Sequence, residues 1–317
     1  MALPVRDVAG ILADNLRLRG SVLPISSRRA TRWARELDLP RGGETVLYTG
    51  VMYQLVPYIE RLVALEQRLE GSRLVRLSGT ARRLNRVVNG AAFVARPPAR
   101  ERHEYDRVPA NVARLLQAAG VEFGYLYEDD LYAGALAHDL GADAEVAAHA
   151  RRVVDAFRRH GVREVITVDP HTTTMLRTVY PKLIDGYDVK VRSYLEVLAG
   201  TGLPVVRRLD GEVVVHDSCV YARYENVVSE PRDLLADVGV AVREPPNAGR
   251  LTWCCGGPAE ALHPEVAATV AAARVEQLRE AASDCVTMCP ICLVNLRKAA
   301  GDTLRVRDIS ELLTQAI

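Results

Sequence analysis

No cysteine occurs before position 219 of this 317-residue chain; all six, Cys219, Cys254, Cys255, Cys285, Cys289 and Cys292, lie in its last third. In a reducing compartment such clustering favours metal or redox chemistry over structural disulfides. An excess of either charge is also missing: 41 Lys and Arg face 40 Asp and Glu, for a net charge of +1. That balance removes the electrostatic case for nucleic acid or an anionic membrane surface as a partner. The opening "MALPVRDVAGILADNLRLRG" lacks a basic start followed by an apolar core, so no secretion signal is expected. No window approaches the about 18 uninterrupted apolar residues of a membrane span, and the expected location is the cytoplasm without membrane insertion. What is present is apolar residue at 49% of positions, enough for a full core in two domains or a duplicated unit.

Read for elements, the chain begins with a helical segment from Val5 to about Leu39, closed by Pro40 and the "RGG" turn. "ETVLYTG" and "REVITVDP" are buried-strand patterns, and "VEFGYLY" is a further strand candidate. Residues 54–120 read as mostly helical, with a break at Gly71 and an exposed loop at "ARPPARERHE". "ADAEVAAHARRVVDAFRRHG" has helical periodicity with a stop at Gly161. Alternation of helix and strand predicts an α/β fold with short, partly parallel sheets flanked by helices, plus the helical N-terminal segment. The arginines interleaved with acids read as solvated helix faces.

The chain also repeats itself. "EVAAHARRVVDAFRRHGVREVITVDPHTTTML" from Glu145 aligns without gaps on "EVAATVAAARVEQLREAASDCVTMCPICLVNL" from Glu265; "VLYTGVMY" from Val46 pairs with "VVHDSCVY" from Val214, and "YAG" from Tyr132 with "CCG" from Cys254. Two copies predict two pseudo-symmetric lobes, at residues 45–200 and 201–317, behind a segment spanning 1–44. Every cysteine of the second copy faces another residue in the first: Cys219 faces Val51, Cys254 and Cys255 face Tyr132 and Ala133, Cys289 faces Asp169, and Cys292 faces Thr172.

The working set is Cys219, then 34 residues, Cys254-Cys255, then 33 residues, and Cys289-Pro-Ile-Cys292. Four readings of it stand side by side: a redox pair at Cys289 and Cys292, a zinc held by four of the five, unliganded buried thiols, and an iron–sulfur cluster. Five ligands, two of them adjacent, suit an opened cluster in which one thiolate bridges two irons. Gly256 and Gly257 then let the loop fold tightly against it. Cys285 falls outside the set and reads as a packed thiol.

"HDSC" at Cys219, "CCGG" at Cys254 and "CPIC" at Cys289 resemble the three signature stretches of the cysteine-rich CCG domain, found in heterodisulfide reductase subunits of the B and D types. The segment "SSRRATRWARELDLPRGGETVLYTG" is similar to the lead-in of the first such domain in D-type subunits. The resemblance covers about residues 10–317. It implies a noncubane [4Fe-4S] cluster on Cys219, Cys254, Cys255, Cys289 and Cys292, with zinc as the alternative metal. It further implies an oxidoreductase subunit acting on a disulfide or other sulfur substrate, served by a ferredoxin-like iron–sulfur subunit and a flavoprotein subunit. The other class is a non-catalytic interaction subunit, stapled by zinc or a cluster. His216 is the candidate for an outer hydrogen bond to the centre. In the cysteine-free copy, Glu128, Asp129, Asp130, Asp169 and His171 are expected near the lost cluster position. There they would hold a metal, handle protons, or sit solvated.

Overall fold

The computed structural model describes residues 5–23, 25–69, 97–257 and 263–317. Two four-stranded, all-parallel sheets organise it. The first contains β1 (Thr45–Tyr48), β2 (Gly124–Tyr125), β3 (Glu164–Thr167) and β4 (Lys190–Ser193) in the order β2-β1-β3-β4. The second contains β5 (Glu212–Val215), β6 (Ala241–Arg243), β7 (Asp284–Thr287) and β8 (Arg305–Asp308) in the order β6-β5-β7-β8. The orders correspond strand for strand, so the repeat in the sequence is a repeat in space. Central strands of parallel sheets are covered on both faces and read as unbroken apolar runs; in β1, β3 and β7 only the first residue is not fully buried.

The helices used below are α1 (Val5–Arg19), α2 (Met52–Leu69), α3 (Ala99–Ala118), α4 (Asp143–Arg159), α5 (Pro170–Thr174), α6 (Tyr194–Thr201), α7 (Ser229–Asp237), α8 (Pro264–Ala281), α9 (Pro290–Ala300) and α10 (Ile309–Leu313). α4 buries Val146, His149, Ala150, Val153, Val154 and Phe157, the 3.6-residue stripe of a helix laid on a sheet. It is followed by Gly161 at φ 69°, the left-handed stop read from the sequence. α8, its counterpart, buries Ala267, Ala271, Arg274, Val275 and Leu278.

Some elements differ from the sequence reading. "VEFGYLY" contributes only the two residues of β2. The helical N-terminal segment consists of α1, a short helical turn at Ser27–Ala30 and a 3-10 turn at Arg32–Ala34. The described part of "ARPPARERHE" is mostly helix, not loop: α3 begins at Ala99, because Pro98, at φ −55° and ψ 153°, takes the extended conformation of a residue just before a helix. The break expected at Gly71 lies outside the described residues.

The lobes are joined by exchange. Tyr53 on α2 donates to Asp308 across the interface at 2.6 Å. Its repeat partner Tyr221 returns the contact to Thr173 at 3.4 Å. Thr174 donates to Glu225 at 2.6 Å, and Arg177 pairs with that same carboxylate at 3.3 Å. The buried apolar residues form one contiguous cluster through both lobes. No described helix is long and apolar enough to cross a membrane.

Candidate metal centre

In the order β6-β5-β7-β8 the chain leaves β5 toward one edge and resumes at β7 on the other side, so the gap beyond the ends of β5 and β7 is a topological switch point. Such points are where open α/β sheets form crevices. Cys219 follows β5, and Cys289 follows β7 as the residue capping α9. The loop bearing Cys254 and Cys255 closes over the gap from the β6 side. A parallel sheet therefore brings together three cysteine stretches far apart in sequence.

All six cysteines are free thiols, with Cys255, Cys289 and Cys292 buried and Cys219 and Cys254 half-buried. The five expected sulfurs form one connected series: Cys219 contacts Cys254, Cys254 contacts Cys255, Cys255 contacts Cys292, and Cys292 contacts Cys289. Charge divides unevenly among them. Hydrogen bonds from the Cys219 and Cys255 thiols, then from the Gly256 N–H at 3.3 Å, pull Cys254 down and hold it as a thiolate. Cys289 is also held well below the ordinary thiol value: burial opposes this, but hydrogen bonds from Cys292 and His171 outweigh it. Cys219 is pushed up first by its hydrogen bond to Cys254, and Cys255 by the same neighbour. Cys292 is pushed up by Cys255 and Cys289. A dense set of sulfurs with two thiolates already favoured has the chemistry a cation site needs, since metal ligation requires the deprotonated form.

The extent of the series constrains that cation. Four thiolates on one zinc hold their sulfurs about 3.8 Å apart, given Zn–S bonds of about 2.3 Å in a tetrahedron. Among the described residues the group of ligand atoms mutually within 4.8 Å is His216, Cys255 and Cys292. The five sulfurs are not all within that distance of one another.

The adjacent glycines make the loop's approach feasible. Gly256 sits at φ 80°, and a Cβ there would lie 2.4 Å from the carbonyl oxygen of Ala267 on α8. At Gly257 a Cβ would lie 2.2 Å from Ile291 on α9 and 3.3 Å from the Cys255 sulfur. The loop packs into the angle between two helices, and the room the glycines supply is chiefly against those helices. Cys285 sits inside β7, fully buried, its Sγ 3.7 Å from the Val286 carbonyl.

Two buried histidines flank the sulfurs, one from each lobe. His216, at the end of β5, accepts from Arg274 Nε at 3.1 Å through Nδ1. Its Nε2 has no hydrogen-bond partner, and burial followed by the Arg274 charge pulls the ring down to about 3. His171 belongs to the cysteine-free lobe yet bonds Cys289 across the interface; burial opposes its charging, but the Cys289 sulfur raises it to about 9. An imidazolium thus lies against a thiolate.

The vacated position in the first lobe is filled. Tyr132, where the second copy has Cys254, is buried and takes the Leu136 N–H on its hydroxyl at 2.7 Å. Thr172, in place of Cys292, packs so closely on Gly50 that a Cβ there would lie 2.4 Å from Thr172 Oγ1. Asp169, in place of Cys289, keeps the capping role by accepting from the Thr172 N–H at 3.0 Å. The five polar residues expected together do not gather. Glu128 pairs with Arg41 at 2.9 Å, and Asp129 with His160 at 2.8 Å. Asp130 is buried, accepting from Thr49 and Gly50 N–H groups, the Thr49 hydroxyl and Tyr125. Asp169 and His171 both act on Cys289, and both are buried rather than solvated. Arg274 was not singled out in the sequence; its signal was a charge on the buried stripe of α8.

Against this geometry stand the relatives. The family model described as cysteine-rich domain matches residues 99–177 and 213–297, one stretch in each lobe and together half of the chain. The EtfAB:quinone oxidoreductase of Syntrophomonas wolfei is 29% identical over 232 residues, covering 67% of this chain and 32% of the relative. The probable iron-sulfur-binding oxidoreductase FadF of Bacillus subtilis is 28% identical over 224 residues, with the same two shares. One of the subunits of the fumarate reductase (CoM/CoB) from Methanothermobacter marburgensis is 29% identical over 176 residues, covering 52% of this chain and 35% of the relative. The chain thus spans about a third of the length of these relatives. With the family model matched once in each lobe, a doubled fold and the cysteines of the second copy in one crevice, the chain belongs to the CCG cysteine-rich domain family.

Proposed function

We propose that this chain is an iron–sulfur redox subunit, binding one noncubane four-iron cluster through Cys219, Cys254, Cys255, Cys289 and Cys292. The observation carrying this reading is the continuous series of five sulfurs in the switch-point crevice. The donor set fits: thiolates are the protein ligands of iron–sulfur clusters, and Cys254 and Cys289 are already favoured as thiolates. When bound, such a cluster supplies one-electron transfer and an iron able to take a sulfur ligand. The chain's own residues do the rest. The lobes exclude water from Cys255, Cys289 and Cys292, while the half-buried Cys219 and Cys254 form the side open to a substrate or electron carrier. His171 places a positive charge against Cys289, favouring its thiolate.

The wider reading is a subunit of the heterodisulfide-reductase type, acting on a disulfide or other sulfur substrate in the cytoplasm. It would work with a ferredoxin-like subunit and a flavoprotein subunit, in lobes at residues 45–200 and 201–317 behind a segment at 1–44. Relatives named as an iron-sulfur-binding oxidoreductase and as part of a CoM/CoB fumarate reductase support it. The rival is a zinc-stapled interaction subunit. Purification without oxygen separates them: brown protein with about four irons and four sulfides per chain fits the redox reading, and colourless protein with one zinc fits the rival.

A further inference from the structure

Arg274 is the largest fully buried side chain among the described residues, 0% exposed. Its guanidinium is spent on neutral acceptors: His216 Nδ1 at 3.1 Å, the Asn247 carbonyl at 2.9 Å, Gln277 Oε1 at 2.8 Å and Thr252 Oγ1 at 3.3 Å. The nearby carboxylate of Asp217 is bound instead by Arg232, at 2.8 and 2.9 Å. A buried cation without a bonded anion is costly. Its placement on an apolar helix stripe calls for a role.

Arginine does not deprotonate in proteins, so its Nε–H is always a donor. His216 Nδ1 must therefore present its lone pair, and the single proton of the neutral ring sits on Nε2. That Nε2 is buried and has no partner, and the His216 ring has a nitrogen within 4.8 Å of the Cys255 and Cys292 sulfurs. We infer that Arg274 is a positioning residue that fixes His216 as an Nε2–H donor to the sulfur centre and so removes it from the ligand set. Ligation through Nε2 needs the proton on Nδ1, where it would point at the Arg274 N–H.

The internal repeat supplies an independent argument. In the first lobe the position of His216 is Tyr48 and that of Arg274 is Val154, both buried. Tyr48 turns its hydroxyl to the Leu131 carbonyl at 2.5 Å. The histidine–arginine pair accompanies the cysteines and is gone where they are gone. The role toward a bound cluster rests on the proposed function; the tautomer does not.

The test is nitrogen-15 NMR of histidine-labelled, metal-free protein. Wild type is expected to show His216 protonated on Nε2 and bare on Nδ1; an Nδ1–H tautomer, or an imidazolium at neutral pH, overturns the inference. Folded Arg274→Met is expected to populate the Nδ1–H form, and an unchanged tautomer in it also overturns the inference; should that variant not fold, the wild-type spectrum decides. After reconstitution with iron and sulfide, His216→Phe is expected to keep the wild-type iron content with a more negative midpoint potential, and His216→Gln, which keeps an N–H, to stay near the wild-type potential. Loss of iron in His216→Phe makes the histidine a ligand, and an unchanged potential removes the donor role; both overturn the inference. If no variant and no wild type takes up iron, the proposed function fails while the tautomer measurement still stands.

Discussion

Replacing Gly256 by alanine tests whether the cysteine loop is seated as described. The residue stands at φ 80°, and its added Cβ would lie 2.4 Å from the Ala267 oxygen and 3.0 Å from the Ala267 carbonyl carbon. These are backbone atoms inside α8, so no side-chain rotation relieves the overlap. Left-handed backbone costs an L-residue about 1–2 kcal/mol, and overpacking a close contact adds about 1–3 kcal/mol. The matched control is Gly141, at φ 74° with nothing within 4 Å of its added Cβ. Gly141→Ala should therefore lose only the conformational part, about 1–2 kcal/mol, and Gly256→Ala about 2–5 kcal/mol. Urea unfolding of both variants reads the difference as a shift in midpoint at constant slope. Because the loop must move to relieve the overlap, Gly256→Ala should also bind less metal than Gly141→Ala. Equal midpoints for the two variants, within about 0.5 kcal/mol, would refute the packing of this loop against α8.

Three further outcomes are expected. Tyr53→Phe, which deletes the bond to Asp308 between the lobes, should cost about 1–3 kcal/mol in urea unfolding, because a buried carboxylate loses its donor. His149 is pulled down to about 4 by burial, below the usual histidine value. The unfolded chain then binds the extra proton between the two values, and stability should fall as pH drops from about 6.5 toward 4, by up to about 3 kcal/mol. His149→Gln should flatten that limb of a pH series of thermal midpoints. Cys285→Ser should leave the metal content unchanged while Cys292→Ser lowers it, as metal analysis of the two purified variants will show.

The frame of the molecule was legible because it depends on local pattern. Short β-branched apolar runs such as "EVITV" read as covered strands, and the alignment of Glu145 on Glu265 places β3 and β7 in equivalent positions. The cysteine stretches were legible because side-chain chemistry and spacing are written in the chain. Arg274 was not, since in "EVAATVAAARVEQLREAA" an arginine among acids looks like a solvated face, and only packing shows it turned inward. His171 reaching Cys289 was hidden because it depends on how two lobes meet. The acids of "YEDDLY" scattered because a short 3-10 turn at Tyr127–Asp129 sends neighbours to different partners.

Metal analysis of the full chain purified without oxygen bears most directly on the centre formed by Cys219, Cys254, Cys255, Cys289 and Cys292. The expected result is about four irons and four sulfides per chain, lost on substituting any of the five. A single zinc, or no iron even after chemical reconstitution of folded protein, would contradict it.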